Sequence, residues 1–240
     1  ANFVELWVYL ASAPLFGLTA TLAVYVLAQA LSVRSGHAPW ANPVMVSVAI
    51  LASVMLATGT AYPTYFAGAQ FIHFLLGPAV VALGWPLWQR RAALRSRWAR
   101  LVLASLAGGS AAAASAVGLG WALGLPGDVL MSLAPKSVTA PVAMGIAAQV
   151  GGVPALAAVF AALTGMVGAL SARWLFGLMR LPTDAQGMAL RGFALGTASH
   201  GIGAAHALQV HAEAGAYAGL ALGLQVVLAA VLMPLVFRLL

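Results

Sequence analysis

Cysteine is absent from this chain, which excludes disulfides, thiolate metal sites and cysteine nucleophiles. Charge is almost as scarce. The 240 residues carry 11 basic and 4 acidic side chains, 6% of the chain, against about 25% in a typical soluble domain. So few charges cannot clothe a soluble fold of this length. With 63% hydrophobic residues, the chain reads as an integral membrane protein. In lipid the backbone must satisfy its own hydrogen bonds, which leaves helices or a closed barrel. Barrel strands alternate over ~10 residues, whereas these apolar runs are long and rich in Ala, Leu and Gly. The expected fold class is all-α and polytopic.

Enzyme signatures are missing as well. There is no HExxH zinc helix, no GxSxG elbow and no GxxxxGK(S/T) phosphate loop. The "GIG" of residues 201–203 is too short for a dinucleotide site. Four acids and five histidines, scattered along the chain, offer little from which to assemble an intramembrane hydrolase. The expectation is a non-enzyme that uses no metal or cofactor.

What charge there is has a pattern. Arg90, Arg91, Arg95, Arg97 and Arg100 share one stretch, "QRRAALRSRWAR". A basic cluster beside membrane spans marks the cytoplasmic side and also suits anionic headgroups; it is not read as a nucleic-acid surface. The first apolar run has no basic segment before it and is too long for a signal-peptide core, so it reads as a retained span.

A spanning helix needs about 20 residues. On that scale residues 3–31 form a first span, with Glu5 at the interface, and 32–42 a loop. Residues 43–60 form a short second span. "YPTYF" (62–66) reads as an interfacial turn with Tyr62 and Tyr65 as anchors. Residues 67–88 follow, interrupted at Gly77-Pro78, and then the arginine loop. Further spans are expected at 101–124, 153–172 and 215–237. Gln70 and Gln225 are amides in apolar spans and are expected to bond between helices. The small-residue run "GGSAAAASAVGLG" (108–120) suits close helix packing, internal or in a homo-oligomer.

Two stretches do not read as continuous spans. In 130–150, Pro135 and Pro141 bracket "KSVTA", and each removes a helix hydrogen bond. In 187–210, Gly192, Gly196, Gly201 and Gly203 interrupt the run. Interrupted segments of this kind point to a transporter's binding site. The chain is thus expected to be one transmembrane domain of seven or eight segments, two discontinuous or re-entrant, with a first half to about 125 and a second half from about 126 holding both broken segments. With the arginine loop in the cytoplasm, a re-entrant 130–150 returns Arg173 and Arg180 to that side. A shift of 56 residues maps Gly109 to Gly165, Leu125 to Leu181 and Pro126 to Pro182, a faint sign of inverted repeats.

Lys136 is the single lysine of the chain. At mid-membrane it costs at least about 2.5–3.5 kcal/mol unless it finds water or a partner. Either it snorkels or pairs structurally, or it meets an anion together with helix-end N–H groups and the hydroxyls of Ser137 and Thr139. In "GTASHGIG" (196–203), Thr197, Ser199 and His200 supply two hydroxyls and an imidazole. His200 either bonds a neighbouring helix or holds substrate and takes up a proton. His206 and Glu213 are further candidates for proton coupling, Glu213 otherwise capping the next helix. His211 and His73 are weaker.

The stretches "LAPKSVTAPVAMGIAAQVGGVPALAAVFAALTGMVGA" and "RGFALGTASHGIGAAHAL", with "YPTYFAGAQFIHFLLGPAVVALGWPLW" upstream, resemble the LrgB/CidB family, which includes the plastid glycolate/glycerate transporter of plants. The resemblance implies a multi-pass protein of the bacterial inner membrane. It implies transport of small monocarboxylates such as glycolate, glycerate or pyruvate, in some members with a small LrgA/CidA-type membrane partner. It also implies an alternative, antiholin-like control of murein hydrolases and autolysis. There is one departure. Many members carry an arginine in the "IGxAxA" stretch where this chain has His206; if that arginine helps hold the carboxylate, the resemblance implies weaker binding, a different pH dependence or another acid here.

Overall fold

The structure, a computed structural model, describes residues 15–36, 38–75, 78, 85, 88 and 91–239. Every regular element among them is helical. The chain divides into two compact units, residues 1–79 and 80–240.

In the first unit, α1 (Phe16–Arg34) leads through a 3-10 turn at Pro39–Ala41 to α2 (Pro43–Thr58) and α3 (Tyr62–Phe74). Asn42 starts α2, its Oδ1 accepting the amides of Val44 and Met45 at 3.0 and 3.3 Å. Pro43 fits the first turn, where no helical N–H is required. Gly59, left-handed at φ 66, ends the helix. "YPTYF" is the start of α3, not the turn expected there, because Pro63 is tolerated in a first turn. Tyr62 is exposed, but Tyr65 turns inward, its hydroxyl 2.6 Å from Thr21 Oγ1 of α1. Gln70 is no interhelical bridge: it is exposed, and its Nε2 donates to Ala67 O of its own helix at 2.9 Å. The expected places of Glu5, of the break at Gly77 and of the His73 side chain lie outside the described residues.

The second unit holds α4 (Arg91–Ala122), α5 (Gly127–Leu133), α6 (Ala140–Val150), α7 (Pro154–Leu178), α8 (Ala185–Val210) and α9 (Ala212–Leu239). The arginine stretch, expected as a loop, is the first part of α4, bent at Arg97 (φ −130, ψ 18). Arginine and alanine both favour helix, and here the side chains described are exposed, so solvent screens their repulsion. Among the described residues four helices are long and apolar enough to cross a membrane: α1, residues 95–122 of α4, α7, and residues 212–237 of α9.

The first broken segment is a hairpin. Helix α5 stops after Leu133; Pro135 occupies the turn, and Pro141 lies in the first turn of α6. Ser132 Oγ donates to Asp128 O at 2.7 Å and accepts the Val153 amide at 2.7 Å. The chain therefore comes back at residue 153 to where it stood at 132. An 11-residue helix such as α6 reaches about 16 Å, roughly half the ~30 Å hydrocarbon core. This segment enters and returns.

The second broken segment does the same at His200, whose backbone (φ 42, ψ −131) departs from helix. A methyl added at Gly203 would lie 2.7 Å from the carbonyl oxygen of Leu195. Along a continuous helix those residues would stand about 12 Å apart. Beyond the turn, Gly192 abuts Ala214 and Gly196 abuts Ala218, at one constant offset, so the first arm of α8 and α9 run parallel. Two elements joined at His211 alone can run parallel only if the chain reverses in between. The break expected at the glycines is thus made by a histidine, with Gly201 and Gly203 following it.

A common order of elements precedes both hairpins. Helix α4 is followed by Gly124 at φ 74 and α7 by Arg180 at φ 51. Each is then followed by Leu-Pro and a hairpin, at the 56-residue shift seen in the sequence. Helix α7 lies between the hairpins and packs against α5, α6 and α8. Its contact with the first is a cluster of Val138, Ala143, Ile146, Ala147, Ala157 and Ala161 with Ala229 of α9. Mostly small side chains let these backbones approach closely, which is how helices gain packing energy in lipid.

Candidate functional site

The two hairpin tips come together beside the middle of α7. His200 is buried, 3% exposed, and its Nε2 bonds the carbonyl oxygen of Ala161 at 2.7 Å. A carbonyl only accepts, so Nε2 carries the proton. The ring lies against Gly165: a methyl there would sit 2.8 Å from Cε1 and 2.9 Å from Nε2. Gly165 is glycine because the imidazole occupies the space a side chain would take. A non-glycine residue at this φ stores strain of about 1–3 kcal/mol, and the bond to Ala161 together with the close packing holds it.

On the other tip, Lys136 is partly buried and its Nζ donates to Ser137 Oγ at 3.2 Å. Ala161, whose carbonyl takes the His200 bond, also packs in one cluster with Val138, two residues after Lys136. Among the described residues no carboxylate pairs with the lysine. The described acids stand elsewhere, Asp128 and Glu213 in the first turns of α5 and α9 and Asp184 at the N-cap of α8. Thr139 is the N-cap of α6, but its side chain makes no capping bond. At the start of α6 the Val142 and Ala143 amides donate to the Thr139 carbonyl at 3.0 and 2.9 Å and Pro141 has no N–H, which leaves the Ala140 amide without a partner in the helix.

The residues expected to act together divide as follows. Lys136, Ser137 and His200 are brought together, with Thr139 following on the same tip. Ser199 adjoins His200, pressed against Gly168 of α7; its Oγ is buried without a hydrogen-bond partner among the described residues. Thr197 turns away: its hydroxyl donates to Phe193 O at 2.9 Å and its methyl packs toward Gly108 of α4. His206 lies on the returning arm and Glu213 in the first turn of α9. His211 caps that helix, its Nδ1 accepting the Glu213 amide at 3.1 Å.

Three features were not read from the sequence. Arg191 pins the start of the second hairpin, donating from Nε to Pro182 O at 3.1 Å and from its terminal nitrogen to Leu181 O at 2.5 Å. A lone arginine in an apolar run was the available signal. Gly165 and Gly168 receive His200 and Ser199, and their spacing on one face of α7 was visible. Ser132, which closes the first hairpin, carried no signal beyond its hydroxyl. Among the described residues no group of three or more His, Asp or Glu could hold a metal ion.

Residues 21–239 match the LrgB-like family. The chain is 31% identical over 198 residues to the uncharacterized protein YxaC of Bacillus subtilis, covering 82% of this chain and 84% of that one. It is 28% identical over 220 residues to the holin-like protein CidB of Staphylococcus aureus, covering 91% and 93%. An uncharacterized protein of Haemophilus influenzae is 30% identical over 200 residues, covering 82% and 84%. No solved structure matches the chain.

Proposed function

We propose that this chain, which belongs to the LrgB-like family, is a membrane carrier of small monocarboxylates, 2-hydroxy or 2-oxo acids such as glycolate, glycerate or pyruvate. One observation carries the reading: both hairpin tips reach Ala161 of α7, and the first presents an ammonium that no carboxylate neutralises among the described residues. A half-buried cation without a counter-ion is costly, and a substrate carboxylate supplies the missing charge. The Lys136 ammonium, the Ser137 and Thr139 hydroxyls and the Ala140 amide at the start of α6 hold the carboxylate. His200 bounds the site from the opposite tip, and Ser199 offers an unpartnered hydroxyl beside it. The hydroxyl or keto oxygen of the acid gives these groups a second point of recognition. Proton coupling falls to His200, with His206 and Glu213 further along the same path. The setting is a bacterial inner membrane, with a small LrgA/CidA-type protein as partner.

A second reading rests on the name of a relative. The Staphylococcus aureus protein is described as holin-like, which favours antiholin-like control of murein hydrolases and autolysis. A regulator acting by insertion alone has no use for two tips converging on a lysine, so the carrier reading is preferred.

Uptake of labelled glycolate, glycerate and pyruvate into proteoliposomes separates the two. Saturable uptake by wild type, lost in Lys136→Ala and His200→Ala variants that remain folded, supports the carrier and locates its site. Folded wild type that takes up none of these acids, alone or with its small partner, sinks the carrier reading and leaves the regulator.

A further inference from the structure

Away from the hairpin tips, a cavity of about 350 Å³ runs between α4 and α9. Its walls are residues 105–117 of α4 and 225–237 of α9, three turns or about 18 Å of each helix. Apart from Ser105, Gly109, Ser110 and Gln225 this lining is Ala, Leu, Val, Met and Phe, and no charged side chain contributes to it. At one end stand Ser105 and Gln225, 0% and 4% exposed. Ser105 Oγ and Gln225 Oε1 are both buried without a hydrogen-bond partner among the described residues. The Gln225 amide packs on Gly109 with its nitrogen foremost, which fixes it at the head of the cavity. Neither atom of the amide has a hydrogen-bond partner among the described residues, so turning it over pairs nothing.

Two unpaired buried polar groups side by side cost about 1–3 kcal/mol each. They face a space lined so thoroughly by carbon that most of it stays dry. We propose that this cavity binds a single-chain neutral amphiphile from the membrane. Its head is a hydroxyl or protonated carboxyl that both donates to and accepts from Ser105 and Gln225. Its alkyl chain lies along Ala113, Val117 and Met233. Absence of charge in the lining excludes an ionised head. The volume, near the lower end of the range for small-molecule sites, fits one chain and excludes a two-chain phospholipid. The site is separate from the Lys136–His200 tips and stands whether or not the carrier reading does. The two nevertheless share a wall, because Ala229 lines the cavity and also packs in the cluster with Val138 and Ala161. Occupancy therefore bears on the back of the first hairpin.

The test is photolabelling of the full chain in lipid nanodiscs with a 12-carbon alcohol carrying a diazirine on its chain, followed by peptide mapping. Labelling is expected on the facing residues of α4 and α9. It should fall about tenfold when one hydrogen bond is removed in Gln225→Leu, and as far in Ala113→Leu, which fills the space. The matched 12-carbon alkane should label the same residues about tenfold less than the alcohol. Equal labelling by alcohol and alkane, or labelling spread evenly over all lipid-facing helices, overturns the proposal. So does labelling unchanged in both variants, whose folding is checked by gel filtration. Because the chain has no cysteine, Ala114→Cys gives a clean control. Efficient disulfide dimers through that position would show a second copy in the cavity, and that too overturns the proposal.

Discussion

The Val153 amide donates to Ser132 Oγ at 2.7 Å across 21 residues of chain, and this bond ties the base of the first hairpin. Ser132 is fully buried and satisfies two backbone groups at once, Asp128 O and Val153 N. Ser132→Ala leaves the Val153 N–H without its partner. A loss of about 1–3 kcal/mol follows, which for a chain of this size lowers the unfolding midpoint by roughly 2–10 °C. Thermal unfolding in detergent, followed by tryptophan fluorescence, measures it. An unchanged midpoint would show that the hairpin does not depend on this bond.

The two hairpins are attached to opposite ends of α7, whose 25 residues are enough to cross the bilayer. The bases of the hairpins must then face opposite sides of the membrane. In the cysteine-free chain, Gln149→Cys and Thr183→Cys place single thiols at the exposed end of α6 and just before α8. A membrane-impermeant maleimide is expected to label each from one side only and the two from different sides, with Thr183→Cys on the side of the basic residues. Labelling of both from one side would contradict the re-entrant arrangement.

His200 combines a ring that is held and a backbone that is strained, and substitution separates the two. His200→Ala loses the bond to Ala161 and keeps a Cβ at φ 42. His200→Gly loses the same bond and relieves the backbone. Both should lose substrate uptake. The glycine variant should be the more stable of the two by about 1 kcal/mol, read as a higher unfolding midpoint. If alanine is the more stable, the turn at residue 200 is not strained in the way its dihedral angles indicate.

Gly165 sets a complementary test. A methyl at that position would press on the imidazole at 2.8 and 2.9 Å, displacing the ring from the Ala161 carbonyl. Gly165→Ala is expected to reduce uptake at least about tenfold, the kinetic equivalent of about 1.4 kcal/mol. Part of its destabilisation should disappear in the His200→Gly background, where the contacts with the ring are gone and only Ile202 Cδ1, at 2.9 Å, still presses on the methyl. Independent, additive effects in the double-mutant cycle would mean that the ring and residue 165 do not touch.

How much of this was legible beforehand depends on which force decides each element. Composition and the length of apolar runs are bulk properties, so the helical membrane class and the long spans could be read directly. Pro135 and Pro141 act locally on their own backbone, and the first break fell where they stand. The second break could not be placed, because glycine permits a turn without requiring one. What fixes it at His200 is a contact with α7, 39 residues earlier. The same applies to Tyr65, which reads as an interfacial anchor until Thr21 is seen beside it. The arginine stretch misled for another reason: charge suggests a loop, while Ala and Arg prefer helix. At the site, residue types were legible, but Thr197 shows that neighbours in sequence need not face the same way.

The shared order of elements before the two hairpins leads to the last prediction. Gly124 and Arg180 occupy corresponding places after α4 and α7, both with positive φ, and each is followed by Leu-Pro. Glycine adopts that conformation without a steric cost, whereas arginine does so against its Cβ. Exchange of residue type at the two sites should therefore act in opposite directions. Gly124→Ala is expected to destabilise by about 1 kcal/mol, since nothing lies within 4 Å of the added methyl and the backbone alone is penalised. Arg180→Gly is expected to stabilise by a similar amount, because Arg180 is exposed and its removal costs no packing. Unfolding midpoints of the two variants, measured side by side, should shift down and up respectively. A loss of stability in Arg180→Gly would mean that the arginine contributes through its charge, to lipid or to membrane orientation, more than it costs through its backbone. The correspondence of the two turns would then be one of position only.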